Sequence, residues 1–272
     1  MRRRFFQLDV FGTAEGYGNG LAVVVGAEGL STPGMQAFAD WTQLAETAFL
    51  VDGEGEADYA VRIFTPAVEL PFAGHPTLGS AMAWLAAGHV PKVPGRLIQS
   101  CAVGLVEIDL TGDVPTFVAP PTRIEAVDAP ALARELGLDP GRVRAAHRLN
   151  NGPDWTAVEM ESGADVAAVR IEDLRMPRGM GLGLWGAEAA GTADFRVRMI
   201  DQRPPPVEDP VTGSLNAALG CLLAGQGRLD APLVMAQGAS VGRAGRVHLS
   251  ARNGRVRVGG AVRVLIEGEV DL

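Results

Sequence analysis

The chain has 272 residues, 47% of them hydrophobic and 21% charged, enough for one large folded domain or two of about 130–140 residues. Its formal charge of −8 offers nucleic acid no basic footprint, and two cysteines, Cys101 and Cys221, are too few for a disulfide scaffold and point to a reducing compartment. The only lysine, Lys92, stands in the turn-like run 90–95 with no apolar pocket around it, which disfavours Schiff-base and pyridoxal phosphate chemistry.

In chain order, a strand is predicted over 5–11, with Arg2–Arg4 as its exposed end. The basic start resembles the head of a secretory leader, but Gln7, Asp9 and Gly12 interrupt any apolar core, so a cytoplasmic protein is expected. The longest apolar stretches, 21–25 and 81–87, are far short of a membrane span. A strand over 21–25 precedes a helix over 33–44, with Thr32 as cap and proline in its first turn. Strands follow at 48–51 and 57–64, then a helix from His75-Pro76-Thr77 to Gly88 with Pro76 at the favoured first position. After a strand at 105–110, Ala119-Pro120-Pro121-Thr122 reads as a linker, dividing the chain into lobes 1–119 and 120–272, the last strands free to cross back. The second lobe is predicted to hold helices at 129–136 and 214–225 and strands at 155–160, 194–201, 233–237, 246–249, 256–258 and 262–267.

The chain repeats itself. Residues 57–64, ADYAVRIF, match 193–200, ADFRVRMI, at an offset of 136, which is half the chain length. After a three-residue insertion, TPAVELPFAGH (65–75) matches PPPVEDPVTGS (204–214) at offset 139, for nine identities in nineteen positions. One order with one gap makes duplication a better explanation than chance. Each copy runs from an alternating strand through a proline-rich turn to a glycine and then a helix that is apolar nearly all round. Such helices need wrapping. The expected fold is therefore α+β: two pseudo-symmetric halves, each a barrel-like, mostly antiparallel sheet around a central helix. Pseudo-two-fold symmetry would bring the two glycine–helix junctions face to face across an interdomain cleft, where helix N-termini favour a carboxylate-bearing ligand.

At this point the chain resembles the PhzF-like family of phenazine-biosynthesis isomerases. The resemblance rests on Leu8-Asp9-Val10-Phe11, Gly18-Asn19-Gly20-Leu21-Ala22-Val23-Val24 and Leu44-Ala45-Glu46-Thr47-Ala48-Phe49. It continues through Arg62-Ile63-Phe64-Thr65-Pro66, the stretch from Glu69 to Gly74-His75-Pro76-Thr77, and Glu208-Asp209-Pro210-Val211-Thr212-Gly213-Ser214-Leu215-Asn216-Ala217, to the region of Val258–Ala261. It implies a diaminopimelate epimerase-like fold, a homodimer, and Glu46 as the proton-shuttling acid/base. It also implies site roles for His75, Asp209 and Ser214, with backbone help from Gly74 and Gly213. Gly20, Ala45 and Ala244 depart from the family pattern, and the first two flank the expected substrate pocket.

The residues themselves support this less sharply. Glu46 sits among apolar neighbours, where partial burial would raise its pKa toward the range useful for acid/base work; the alternative is a glutamate turned to solvent. His75 follows Gly74 at a helix start and could equally be a core or capping histidine. Asp209 has Leu70 as its repeat equivalent, so its charge belongs to one copy only, whereas Glu69 and Glu208 occur in both and read as structural. Ser214, aligned with His75, could cap its helix. Glu46 shifted by 136 falls on Leu182, and the cysteines are not repeat-equivalent, so a two-base or cysteine-pair racemase is disfavoured and a one-base proton shift preferred.

Gly181-Leu182-Gly183-Leu184-Trp185-Gly186 matches GxGxxG but aligns with a strand rather than a phosphate loop. The four histidines and two cysteines show no metal-ligand spacing, and no GxSxG surrounds Ser80 or Ser214. The expectation is a cofactor-independent, metal-free isomerase acting on a small unsaturated carboxylate, for which the family resemblance implies trans-2,3-dihydro-3-hydroxyanthranilate as the reference substrate, with no nucleic-acid or membrane partner. A racemase or epimerase and a non-catalytic small-molecule-binding relic are the alternatives.

Overall fold

The computed structural model describes residues 1–202 and 205–272; Pro204, which opens the second copy of the repeated turn, lies outside them. The chain forms two units, Met1–Val118 with Gly259–Leu272, and Ala119–Val258. The first contains β1 (Arg2–Val10), β2 (Asn19–Val25), α1 (Thr32–Thr42), β3 (Glu46–Asp52), β4 (Tyr59–Phe64), β5 (Glu69–Leu70), α2 (Gly74–Ala86), β6 (Arg96–Cys101), β7 (Gly104–Asp109) and β8 (Thr116–Val118). The second contains β9 (Arg123–Val127), α3 (Ala129–Leu136), β10 (Val143–Asn150), β11 (Asp154–Met160), α4 (Gly163–Ala168), β12 (Gly181–Ala187), β13 (Phe195–Asp201), β14 (Val207–Asp209), α5 (Gly213–Gly225), β15 (Leu233–Gln237), β16 (Gly245–Arg252) and β17 (Arg255–Gly259). The last strand, β18 (Val262–Asp271), pairs antiparallel with β1 in the first unit.

The two units share one pairing scheme. In the first, β1–β2 is antiparallel, β2–β3 parallel, β3–β4 antiparallel, β4–β6 parallel and β6–β7 antiparallel, with short β5 on β4. In the second, β10–β11, β11–β12, β12–β13, β13–β15 and β15–β16 repeat that order of directions, with short β14 on β13. Apolar nearly all round, α2 packs against β1, β2, β3, β6, β8 and β18 of its unit, and most of its residues are buried. Gly79 permits the closest approach: a Cβ there would lie 2.3 Å from Leu21 Cδ2. Most of α5 is buried as well. Amphipathic helices cover the other sheet faces. Met35, Phe38 and Ala39 of α1 pack on Val24, Phe49 and Phe64, while Leu132 and Leu136 of α3 and Val166 of α4 pack with Val158, Leu182 and Ile200. The α+β class and the sheet-wrapped helix of each half are as expected from the repeat.

Several local expectations shift. Ser31, not Thr32, caps α1, its side chain accepting from the Gly34 N–H. Helix α2 begins at Gly74, so Pro76 is its third residue; its missing N–H falls among the first-turn donors that have no intrahelical partner in any case. Strand β6 escaped the hydrophobic pattern because its inward residue Gln99 is polar, satisfied by the Tyr59 hydroxyl and by Thr77 Oγ1. The GxGxxG run is β12, and its glycines are packing devices. A Cβ on Gly181, Gly183 or Gly186 would come within 2.8 Å of Trp155, 2.7 Å of Leu215 or 2.6 Å of the Ser162 carbonyl oxygen. Among the described residues no helix is long and apolar enough to cross a membrane.

Candidate active site

In the first unit the parallel ladder opposes Leu21 to Glu46, the first residue of β3. Strand alternation places Glu46 on the face shared by Ala48 and Leu50, and β3 packs against α2. The helix start brings in its second residue, and His75 Nε2 lies 3.2 Å from Glu46 Oε2, with the two side chains 6% and 16% exposed. Burial pushes the His75 pKa down to about 3, opposed by a hydrogen bond between the ring and the Gly20 backbone. The imidazole is therefore neutral near neutral pH, and its contact with Glu46 is not an ion pair. Gly20, which the family resemblance places beside the expected pocket, meets His75 through its backbone, a contact that no side-chain reading of the sequence could specify.

The second unit builds a different arrangement at the equivalent junction. Asp209 ends β14, and its Oδ2 accepts from Thr212 Oγ1 at 2.5 Å. Thr212 Oγ1 accepts in turn from Gln237 Nε2 at 2.9 Å, and Gln237 Oε1 accepts from the Thr212 N–H and from Asn216 Nδ2. Thr212, Asn216 and Gln237 are buried and were not picked out as site residues. The visible signal was a polar Asn216 inside an apolar helix. Thr212 occupies the N-cap position without a side-chain bond to the helix, so Ser214 lies inside α5 and does not cap it. Its carbonyl oxygen accepts from Asn151 Nδ2, while its hydroxyl makes no hydrogen bond among the described residues. Ala73, before α2, likewise supplies no side-chain cap. Gly74 and Gly213 are thus the first residues of two helices whose leading N–H groups no capping side chain covers.

Strand registers locate the true equivalences between the copies. Ile63 opposes Leu70 as Met199 opposes Asp209, so the alignment of Leu70 with Asp209 holds in three dimensions. Ile63 also opposes Ala48 as Met199 opposes Gly183, which makes the twin of Glu46 residue Gly181, one position before Leu182. Glu69 and Glu208 hold Arg62 and Arg198 at 2.7 and 2.8 Å, one ion pair built twice, in line with a structural role. Cys101 and Cys221 are both free; burial pushes the Cys221 thiol pKa up, against a smaller opposite effect from the Thr122 side chain.

The family model for PhzC-PhzF, phenazine biosynthesis-like protein, matches residues 8–270. The trans-2,3-dihydro-3-hydroxyanthranilate isomerase of Pseudomonas aeruginosa is 31% identical over 263 residues, covering 94% of this chain and 92% of that protein. Antisense-enhancing sequence 1 of Schizosaccharomyces pombe is 35% identical over 174 residues, which span 60% of this chain and 59% of the yeast protein. Among solved structures, the phenazine biosynthesis protein of the PhzF family from Bacillus anthracis has the same fold, with a TM-score of 0.84 at 20% identity over all of both chains.

Proposed function

Because the chain belongs to the phenazine biosynthesis-like (PhzC-PhzF) family and is an isomerase, we propose that it moves a proton within a small unsaturated carboxylate by one-base catalysis. The reference substrate is trans-2,3-dihydro-3-hydroxyanthranilate, for which the Pseudomonas relative is named. The observation that carries this reading is the contact between Glu46 and a buried, neutral His75. Glu46 takes the proton from carbon, the electron pair moves into the conjugated system, and the same carboxyl returns the proton further along. An imidazolium beside it would hold the carboxylate ionised; a neutral ring positions Glu46 while leaving it able to take and release a proton.

Asp209 orients the substrate's amino or hydroxyl group. Ser214, whose hydroxyl makes no hydrogen bond among the described residues, and the backbone of Gly74 and of Gly213, each the first residue of a helix without a side-chain cap, are the groups suited to hold a carboxylate. One base suffices for a shift on one face of the substrate, and the twin position of Glu46 carries no side chain at all.

The test is a proton NMR time course in D2O with trans-2,3-dihydro-3-hydroxyanthranilate, comparing wild type with Glu46→Gln. Rearrangement by wild type and its loss in the variant supports both substrate and base. An inert wild type removes the substrate assignment, and an active Glu46→Gln removes Glu46 as the base.

A further inference from the structure

The segment 237–244, apart from Gln237, has no part in the proton transfer, yet its backbone is tightly specified. At Gly238 (φ +101) a Cβ would lie 2.6 Å from the Pro210 carbonyl oxygen and 2.7 Å from Arg243 Cβ, so only glycine lets the chain double back there. The N–H groups of Val241 and Arg243 both donate to the Gly238 carbonyl, closing the loop on itself. This loop borders a cavity of about 390 Å³ in the second unit. Across β13, β15 and β16, register places Arg196, Ala236 and Arg246 in one row of the same sheet face, and all three line the cavity.

The charges there do not cancel. Among the arginines of the lining, Arg196 is held by Glu188 at 2.6 Å and Arg198 by Glu208 at 2.8 Å. Arg243 makes no side-chain hydrogen bond or ion pair among the described residues. Arg246 donates only to neutral acceptors, the Gly245 carbonyl at 2.9 Å and Thr192 Oγ1 at 3.3 Å, and its buried Nε has no partner. Two guanidinium groups thus line one cavity without a carboxylate to pair them, in a chain of net charge −8. Guanidinium N–H groups in this state match the oxygens of a compact anion.

We propose that this cavity is a binding site for a small dianion, a phosphate or a dicarboxylate, held by Arg243 and Arg246. Isothermal titration of the full chain with inorganic phosphate and with malonate, at matched ionic strength, tests it. Saturable one-site binding of either anion is expected, weakened about tenfold or more in Arg243→Gln and in Arg246→Gln and unchanged in Glu46→Gln. Binding of phosphate alone assigns the site to phosphates, and binding of malonate extends it to dicarboxylates. Arg243 is exposed and unpartnered, so Arg243→Gln leaves the fold intact and reads binding directly. No saturable binding of either anion by wild type, wild-type affinity in Arg243→Gln, or loss of binding in Glu46→Gln would each overturn the proposal.

Discussion

Glu46 and Gly181 occupy the same register position in the two halves, and only Glu46 has room for a side chain. At Gly181 the Trp155 ring stands 2.8 Å from where a Cβ would be. Of two equivalent positions, one is therefore open to a side chain and the other is filled by an indole, in keeping with the one-base reaction proposed above rather than the two-base chemistry of a racemase.

Gly181→Ala is predicted to cost about 1–3 kcal/mol, because the added methyl must displace a packed Trp155. Urea unfolding measures it, and an unchanged midpoint would mean that the indole moves aside freely. Gly181→Glu is predicted to gain no exchange of substrate Cα–H on the second face, read by deuterium incorporation.

Acid sensitivity follows from His75. Its folded pKa of about 3 lies below the ordinary 6.5, so between these values the unfolded chain binds more protons than the folded one. Stability is full above the unfolded pKa and falls as pH drops toward the folded one, by up to about 1.4 kcal/mol per pH unit from this ring. Urea midpoints from about pH 7 to pH 4 should decline less steeply for His75→Asn than for wild type. Parallel curves would show that the ring is not buried neutral.

The duplicated ion pair should behave differently in its two settings. Arg62 and Glu69 are 34% and 38% exposed, while Arg198 and Glu208 are 6% and 1% exposed and Arg198 also donates to the Val166 and Val169 carbonyls at the C-terminal end of α4. Glu69→Gln is predicted to change stability by less than about 1 kcal/mol once solvent screening is counted. Glu208→Gln, which strands a buried guanidinium, should cost about 3–5 kcal/mol. Equal effects in thermal or chemical unfolding would refute the contrast.

Asp209→Asn keeps an oxygen for the Thr212 hydroxyl while removing the charge and turning the other oxygen into an NH2 donor. It is predicted to lower kcat/KM by about 10–100-fold with stability within about 1 kcal/mol. Wild-type kcat/KM in this variant would make Asp209 a structural partner of Thr212 alone.

Part of the candidate site's geometry was legible in one dimension. The asymmetry between Leu70 and Asp209 could be read because the turn motif around them, Val68-Glu69 to Pro71 and Val207-Glu208 to Pro210, keeps its internal spacing in both copies despite the three-residue insertion before it. The twin of Glu46 was misplaced by one residue, since an offset taken from β4 and β13 does not hold across the preceding strands. The contacts of Thr212 with Gln237 and of His75 with the Gly20 backbone stayed hidden: they join different elements through hydrogen bonds that leave no periodic trace.

By itself the sequence determined the duplication, the α+β class and the two all-apolar helices, because periodicity, glycine–helix junctions and repeated motifs are local properties. It also marked Glu46, His75, Asp209 and Ser214 as the residues to examine. Only the tertiary structure decided that Glu46 meets a neutral His75, that Trp155 closes the twin position, and that one copy of a shared ion pair is buried. Those outcomes turn on which strand lies beside which helix and on how much water reaches each charge, and no stretch of chain encodes either alone.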